Sequence, residues 1–484
     1  MEKKKHLSFM KAAGIQFASK YINVALQLVI TAVLARLLTP EQYGVVAGIT
    51  VFTSFFGLLA DMGFGPAIIQ YKQLKDNDYG GIFIFTICLS FVLAGAFAAL
   101  SGPIALFFRN DSYRSLCVLC TISVFFGGIN MVPNGLLLKD KQFFVIGFRL
   151  VIGTLVGGCI AIALALHGFG ASSLIWNLNV TAVFVFIWNY ISVYKLISFR
   201  DMHIFESIKV IIRYAIYQAG FSFINYFSRN LDHILVGRYF GSAPLGLYDK
   251  AYKLTSYPIT FIPGVLGTVI QPYLSYYQNN KKKLFYYQMV LVRFLALAGC
   301  LAMFICLLCG KDIVYIMYGA QWMNCVPLFT ILAASIAFQM VMNVTGSILQ
   351  SAGRTDLLFR QGLFATIIMV TFTIGGCASR KLTILTICVS TAFFFQLFTV
   401  AYYTAVKAFD ESMAAFLMPV LRIIFISFAI AIPFFAIRYI LHFTIANGIL
   451  NLLMYTIAYA TLFVLVFLRT GDLKAMLRLM KKKA

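Results

Sequence analysis

Ionised and hydrogen-bonding side chains inside apolar sequence are the residues of this chain whose types and spacing can do chemistry. Gln218, Ser222, Asn225, Arg229 and Asp232 recur at i, i+4, i+7, i+11 and i+14. At about 100° per residue they form one stripe on a helix. A second stretch follows with Lys250, Lys253 and Tyr257 on one face, Asp249 four residues before Lys253, and Pro258 and Pro263 interrupting the backbone ladder. A charge in hydrocarbon costs about 3 kcal/mol or more unless it pairs or meets water, so each is a candidate functional group. Two arrangements are open. Asp232 and Asp249 can be structural ion-pair partners, Arg229 with Asp232 at i, i+3 and Lys253 with Asp249 at i, i+4, stapling neighbouring helices. Alternatively, three cations against two carboxylates leave a positive, hydrated vestibule, suited to an anion with several oxygens such as a phosphate or pyrophosphate.

Asp61 is the other carboxylate in an apolar run. Thr50, Ser54, Gly57 and Asp61 repeat the i, i+4, i+7, i+11 spacing, and Lys20 lies at a similar depth on the preceding run. Asp61 is therefore a candidate either for proton or sodium coupling or for a structural pair or cap beside the break at Gly63-Phe64-Gly65-Pro66. Arg149, Arg213, Arg293 and Arg422 lie near one end of their runs, where long side chains reach the interface. The tyrosines from Tyr248 to Tyr277 can stack on sugar rings or form an interfacial belt.

No catalytic or metal chemistry is legible. The histidines His6, His167, His203, His233 and His442 are scattered, and there is no glycine-rich phosphate loop. Cys117/Cys120 and Cys306/Cys309 lack the second ligand pair that a metal site needs. A non-enzyme with neither cofactor nor metal is expected. The net charge of +23 does not call for nucleic acid, because the basic residues sit in short clusters between apolar runs.

The elements that must position these groups are transmembrane helices. With 61% hydrophobic and 11% charged residues and a mean hydropathy of +0.88, the chain needs a bilayer as solvent and reads as an all-α polytopic membrane protein. Runs of about 20 apolar residues predict fourteen spans, near 12–38, 43–71, 79–107, 113–138, 142–167, 170–196, 207–240, 244–277, 284–310, 323–350, 357–379, 382–406, 414–437 and 446–468. The basic start MEKKKHLSFMKAAG reads as a retained start-transfer helix. Basic residues concentrate on one side, from Lys3, Lys4, Lys5 and Lys11 through Lys139/Lys141 and Lys281–Lys283 to the tail beyond Arg469. Arg109, Arg114, Arg238, Lys311, Arg380, Lys381 and Arg438 lie opposite. Both termini are expected in the cytoplasm.

Residues 16–70 laid over 218–272, a shift of 202, align Gln16 with Gln218, Asn23 with Asn225, Arg36 with Arg238, Gly44 with Gly246 and Gly65 with Gly267. Six spans separate the copies, so the halves share an orientation and form a parallel repeat. The expected domains are an N-lobe at 1–200, a C-lobe at 201–408, and two further helices with a basic tail at 409–484.

Arg36-Leu-Leu-Thr-Pro-Glu-Gln-Tyr-Gly44, Asp61-Met-Gly-Phe with Ala67-Ile-Ile-Gln70, Asp232-His-Ile-Leu-Val-Gly-Arg-Tyr-Phe-Gly241 with Leu245-Gly-Leu-Tyr-Asp-Lys-Ala251, and Gly346-Ser-Ile-Leu-Gln-Ser-Ala-Gly-Arg-Thr355 resemble the polysaccharide-export (Wzx-like) flippases of bacteria. The likeness is closest to the colanic-acid/lipopolysaccharide exporter branch. It implies the multidrug/oligosaccharidyl-lipid/polysaccharide exporter superfamily, with two six-helix lobes in a V, two added C-terminal helices and alternating access. The implied cargo is an undecaprenyl-pyrophosphate-linked oligosaccharide, moved to the periplasmic leaflet of the inner membrane by a protein expected to be a monomer. Membrane lipids, and H+ or Na+ as a coupling ion, are the other expected partners. The resemblance also implies a cavity role for Lys20, Asp61, Arg229, Lys250 and Lys253, with Asn225, Gln218 and Tyr257 contributing to cargo binding. The rivals are an ion-coupled multidrug or small-molecule exporter of the same superfamily and, from another class, a membrane polymerase or ligase.

Overall fold

A backbone crossing hydrocarbon finds no water for its N–H and C=O groups, so it satisfies them internally as helix. The computed structural model of the chain describes residues 9–61, 65, 68, 76–199, 226, 229–278, 280–441 and 447–470, and these contain helices and no strand. Contacts divide the chain into two compact units, Met1–Gly246 and Leu247–Ala484.

In the first unit, α1 is Phe9–Leu37, α2 Pro40–Asp61, α3 Asp76–Ala99, α4 Ser101–Phe108, α5 Ser112–Ile129, α6 Met131–Lys139, α7 Phe143–Leu166 and α8 Ala171–Val193. Glycines on α7 set its packing. A Cβ on Gly147 would strike Ser19 of α1, and one on Gly158 would strike Ile30. The two pairs keep the same residue offset, so α1 and α7 run parallel. On another face, Gly153 lies against Val185 and Phe184 of α8, and Gly157 against Thr181 and Asn177. There the partner recedes as the glycine advances, which makes the pair antiparallel. Small residues allow such close approach where no hydrophobic force drives helices together.

Asparagines tie neighbouring helices together. Asn179 of α8 donates to the Leu119 carbonyl at 2.8 Å and accepts from the Ser123 N–H at 3.1 Å. Leu119 and Ser123 are the i and i+4 partners of one turn of α5, so a single amide on α8 ties to that turn through both its donor and its acceptor. Where α5 gives way to α6, Asn189 donates to Asn130 at 2.6 Å. One turn on, Asn134 accepts from the buried Arg149 guanidinium at 2.6 Å.

In the second unit, α9 is Ser242–Ser275, its first residues belonging to the first unit, and α10 is Lys281–Tyr318. A 3-10 turn at Ala320–Cys325 leads to α11 (Val326–Ala333), α12 (Ile336–Met342) and α13 (Thr345–Ser351). Then come α14 (Thr355–Ala378), α15 (Leu382–Ala401), α16 (Met413–Phe435) and α17 (Gly448–Arg469). Pro263 has no N–H for the Ile259 carbonyl, and Asn343 supplies it, donating at 2.9 Å. The helix α10 leaves helical geometry at Cys309 (φ −108°, ψ 18°). Next to that kink, a π-helical turn at Ala436–Ile440 carries Arg438 inward onto Asp312, 2.5 Å from the carboxylate, which Asn451 of α17 also meets at 3.0 Å.

Eleven helices among the described residues are long and apolar enough to cross a membrane. The count is twelve if the pair Ala320–Ala333 and Ile336–Ser351, bent by 50°, is one span. Each has a counterpart among the fourteen runs of the sequence. The remaining two runs are the polar ones: 207–240 lies largely outside the described residues, and 244–277 is the 34-residue α9. The domain boundary expected at 200 compares with a contact boundary at Gly246. Residues 226–246 are anchored in the first unit. Tyr226 donates to the Val51 carbonyl, Arg238 to the Phe107 carbonyl, and Asn110 to Ser242 at 3.3 Å.

Candidate functional site

The charged cluster Asp249, Lys250, Lys253 and Tyr257 stands on the first four turns of α9. No proline interrupts the helix before Pro258, so the cluster rests on continuous backbone hydrogen bonds. Lys250 and Lys253 do not share a surface, contrary to the single polar face expected of them. Lys250 is 2% exposed, its ammonium 5.3 Å from the centre of the Tyr318 ring. Fully buried Trp322, its ring 5.6 Å from that of Tyr318, and Cys325, whose thiol donates to the Leu247 carbonyl at 3.4 Å, close over this end of α9. An aromatic face is a favourable seat for a desolvated cation. The Lys253 side chain is half exposed, and its Nζ lies 2.9 Å from the buried Asp249 carboxylate. Tyr257, one turn further, is partly exposed, its ring 6.4 Å from that of Phe261. The face thus presents one accessible ammonium, held by a carboxylate beneath it, and a tyrosine. This arrangement can offer an anion a charge-assisted hydrogen bond without leaving a lone buried charge.

The seventh-run residues divide. Gln218, Ser222 and Asn225 lie outside the described residues. Arg229 is helical and exposed. Asp232 is buried, and its Oδ1 accepts from the His233 backbone N–H at 2.8 Å and lies 2.9 Å from His233 Nδ1. The sequence offered Arg229 as one possible partner of Asp232 and counted His233 among scattered histidines. Lys20 is exposed on α1, while Asn23 is buried and its carbonyl oxygen has no hydrogen-bond partner among the described residues. Asp61 ends α2, half-buried, and its carboxylate accepts the Gly65 N–H in the manner of a local cap. No ion pair joins Lys20 to Asp61 among the described residues.

The pattern also passed over Arg438, which it placed in a connecting segment. The guanidinium is 6% exposed, held by Asp312, 3.8 Å from the Cys309 sulfur, and 5.0 Å from the centre of the Tyr455 ring. Asn179 and Asn343 were equally silent, their only signal being an amide within an apolar run. The ten cysteines are free, and no group of three metal-ligating side chains occurs among the described residues.

The lipopolysaccharide biosynthesis protein WzxC of Escherichia coli (strain K12) is 24% identical over 375 residues, 73% of this chain and 72% of that protein. Among solved structures, the lipid II flippase MurJ in an inward closed conformation superposes with a TM-score of 0.72 at 14% identity, covering 94% of this chain and 99% of that one. An inward-facing multidrug resistance MATE transporter of the MOP superfamily superposes with a TM-score of 0.64 at 15% identity, covering 85% and 98%. These two likenesses establish a shared fold. The family described as polysaccharide biosynthesis protein matches residues 33–327, more than half of the sequence, and the chain belongs to that family.

Proposed function

We propose that this protein is a flippase for a lipid-linked oligosaccharide, moving undecaprenyl-pyrophosphate-linked repeat units from the cytoplasmic to the periplasmic leaflet of a bacterial inner membrane. The observation that carries the reading is membership of the polysaccharide biosynthesis family on a fold shared with the lipid II flippase. Both termini are cytoplasmic in this proposal, in keeping with the basic residues of the connections. The two lobes rock against each other in alternating access, and one polypeptide suffices. Lys253 and Arg229, both accessible, attract the pyrophosphate. Tyr257, Gln218, Asn225 and Lys20 receive hydroxyl-rich sugar. Lys250 holds α9 in place through its buried ammonium rather than meeting cargo.

The test uses the purified protein in liposomes carrying a fluorescent polyprenyl-pyrophosphate oligosaccharide in both leaflets. Protein-dependent access of the inner-leaflet pool to an external glycosidase is the expected result, reduced at least tenfold in Lys253→Gln. Liposomes with and without protein giving the same protected fraction would remove the flippase reading. Two observations favour a second reading. The MATE likeness and the carboxylate of Asp61 fit a small-molecule exporter in which Asp61 binds H+ or Na+. That exporter would protect cells from toxic cations, lose the protection in Asp61→Asn, and leave surface polysaccharide unchanged.

A further inference from the structure

Arg149 stands near the end of its apolar run, where the sequence expects a long side chain to reach water. In the structure it is 4% exposed, inside the first unit. The antiparallel register that sets Gly157 against Thr181 and Gly153 against Phe184 brings Arg149 level with Trp188 and Asn189 of α8, and the rings of Phe148 and Trp188 meet there at 6.1 Å. The guanidinium donates from Nη2 to Asn134 Oδ1 at 2.6 Å. Its Nε and Nη1 are buried with no hydrogen-bond partner, and no carboxylate pairs with it, among the described residues. Asn189 is fully buried and donates to Asn130, yet its own Oδ1 has no partner among the same residues. The other deeply buried guanidinium, Arg438, has the Asp312 carboxylate. Asn134 satisfies one donor of Arg149 but neutralises no charge. An arginine does not shed its proton as a buried lysine can, so the desolvation cost of Arg149 calls for an opposite charge.

We infer that the first unit holds a small inorganic anion, of halide size, at Arg149 between α6, α7 and α8. The free Nε and Nη1 give it charge-assisted hydrogen bonds. A water beside it donates one hydrogen to the anion and the other to Asn189 Oδ1. Size follows from the packing. Gly153 and Gly157 draw α7 against α8 within the next two turns, and a guanidinium this buried leaves no way in for a lipid headgroup or an oligosaccharide. Arg149 lies about 9 Å along α7 from its first residue, so the ion enters from the solution at that end. Once bound, it holds α7 to the junction of α5 and α6 through Asn134, and it does so whatever the protein carries.

The experiment follows the thermal unfolding midpoint of the purified full-length protein in detergent as sodium chloride or bromide replaces sodium gluconate at constant ionic strength. Either halide is expected to raise the wild-type midpoint saturably, by about 5 °C once the ion stands at a hundred times its dissociation constant. Lys253→Gln, which removes an accessible cation elsewhere, should show the same rise. Arg149→Met should be flat in both halides, and Arg149→Lys, which keeps the charge but loses the planar fork, should need more of the ion for the same rise. A wild-type midpoint that ignores halide, or a rise of equal size in Arg149→Met, overturns the site. Where Arg149→Met does not fold, bromide anomalous scattering from wild-type crystals decides: density against the guanidinium is expected, and density that avoids it overturns the site.

Discussion

Removing the guanidinium at 438 leaves the Asp312 carboxylate in a nearly dry site. The Arg438 and Asp312 side chains are 6% and 13% exposed, and among the described residues the other donor to the carboxylate is the Asn451 amide at 3.0 Å. Breaking a buried pair from one side costs about 3–5 kcal/mol, because the surviving charge keeps its desolvation penalty and loses its partner. Loss of the contact with the Tyr455 ring adds about 0.5–2 kcal/mol. At about 2–4 °C per kcal/mol for a domain of this size, Arg438→Met should lower the midpoint of thermal unfolding in detergent by on the order of 10 °C. Asp312→Leu should cost a similar amount by stranding the guanidinium. The informative variant is Asp312→Leu with Arg438→Met. Two buried charges then disappear together, and the loss should fall well below the sum of the single losses, with a coupling of about 2 kcal/mol or more. Fluorescence-detected thermal denaturation of the four proteins closes the cycle. Additive losses would refute the claim that Arg438 and Asp312 act as one unit tying α10 to the turn after α16.

Other substitutions test the remaining geometry. Lys253→Gln should leave the unfolding midpoint within a few degrees of wild type, since partly exposed pairs contribute about 0–1 kcal/mol, whereas Lys250→Gln should destabilise, because an uncharged amide forfeits the Tyr318 ring at 5.3 Å. Equal midpoints would show that the two lysines share an environment after all. Asn343→Leu strands the Ile259 carbonyl and should cost about 1–3 kcal/mol, with faster hydrogen exchange confined to the middle of α9. Asn179→Leu removes the amide that meets the Leu119 carbonyl and the Ser123 N–H and should destabilise by a similar amount, with faster hydrogen exchange at 119–124.

What was legible in the sequence follows from what the bilayer demands of every residue alike. Hydrocarbon admits only long apolar helices, so run length predicted the spans, and the repeat could be read because Gly44 and Gly246 answer to one steric requirement twice: a Cβ on Gly44 would strike the Ser242 carbonyl, and one on Gly246 the Pro40 carbonyl. Faces were harder. Lys250 and Lys253 stand about 60° apart around the α9 axis, so the i, i+3 spacing groups them. Yet that angle separates the side turned to Tyr318 from the exposed one. The deciding neighbour, Tyr318, ends α10 some seventy residues later, which no local period contains. Arg438 shows a second way in which periodicity fails. The π-helical turn at 436–440 changes the helical phase just where the sequence reads as a connection, sending the guanidinium inward to a carboxylate on α10. Polar residues within apolar runs therefore divide by what stands near them. Asn343 answers a missing proline N–H, Asn179 the two ends of a turn on α5, and Asp312 a cation turned inward. Lys253 answers the buried Asp249 carboxylate and yet stays half exposed, and Arg229 is exposed, so under the proposed function these two are the cations offered to cargo.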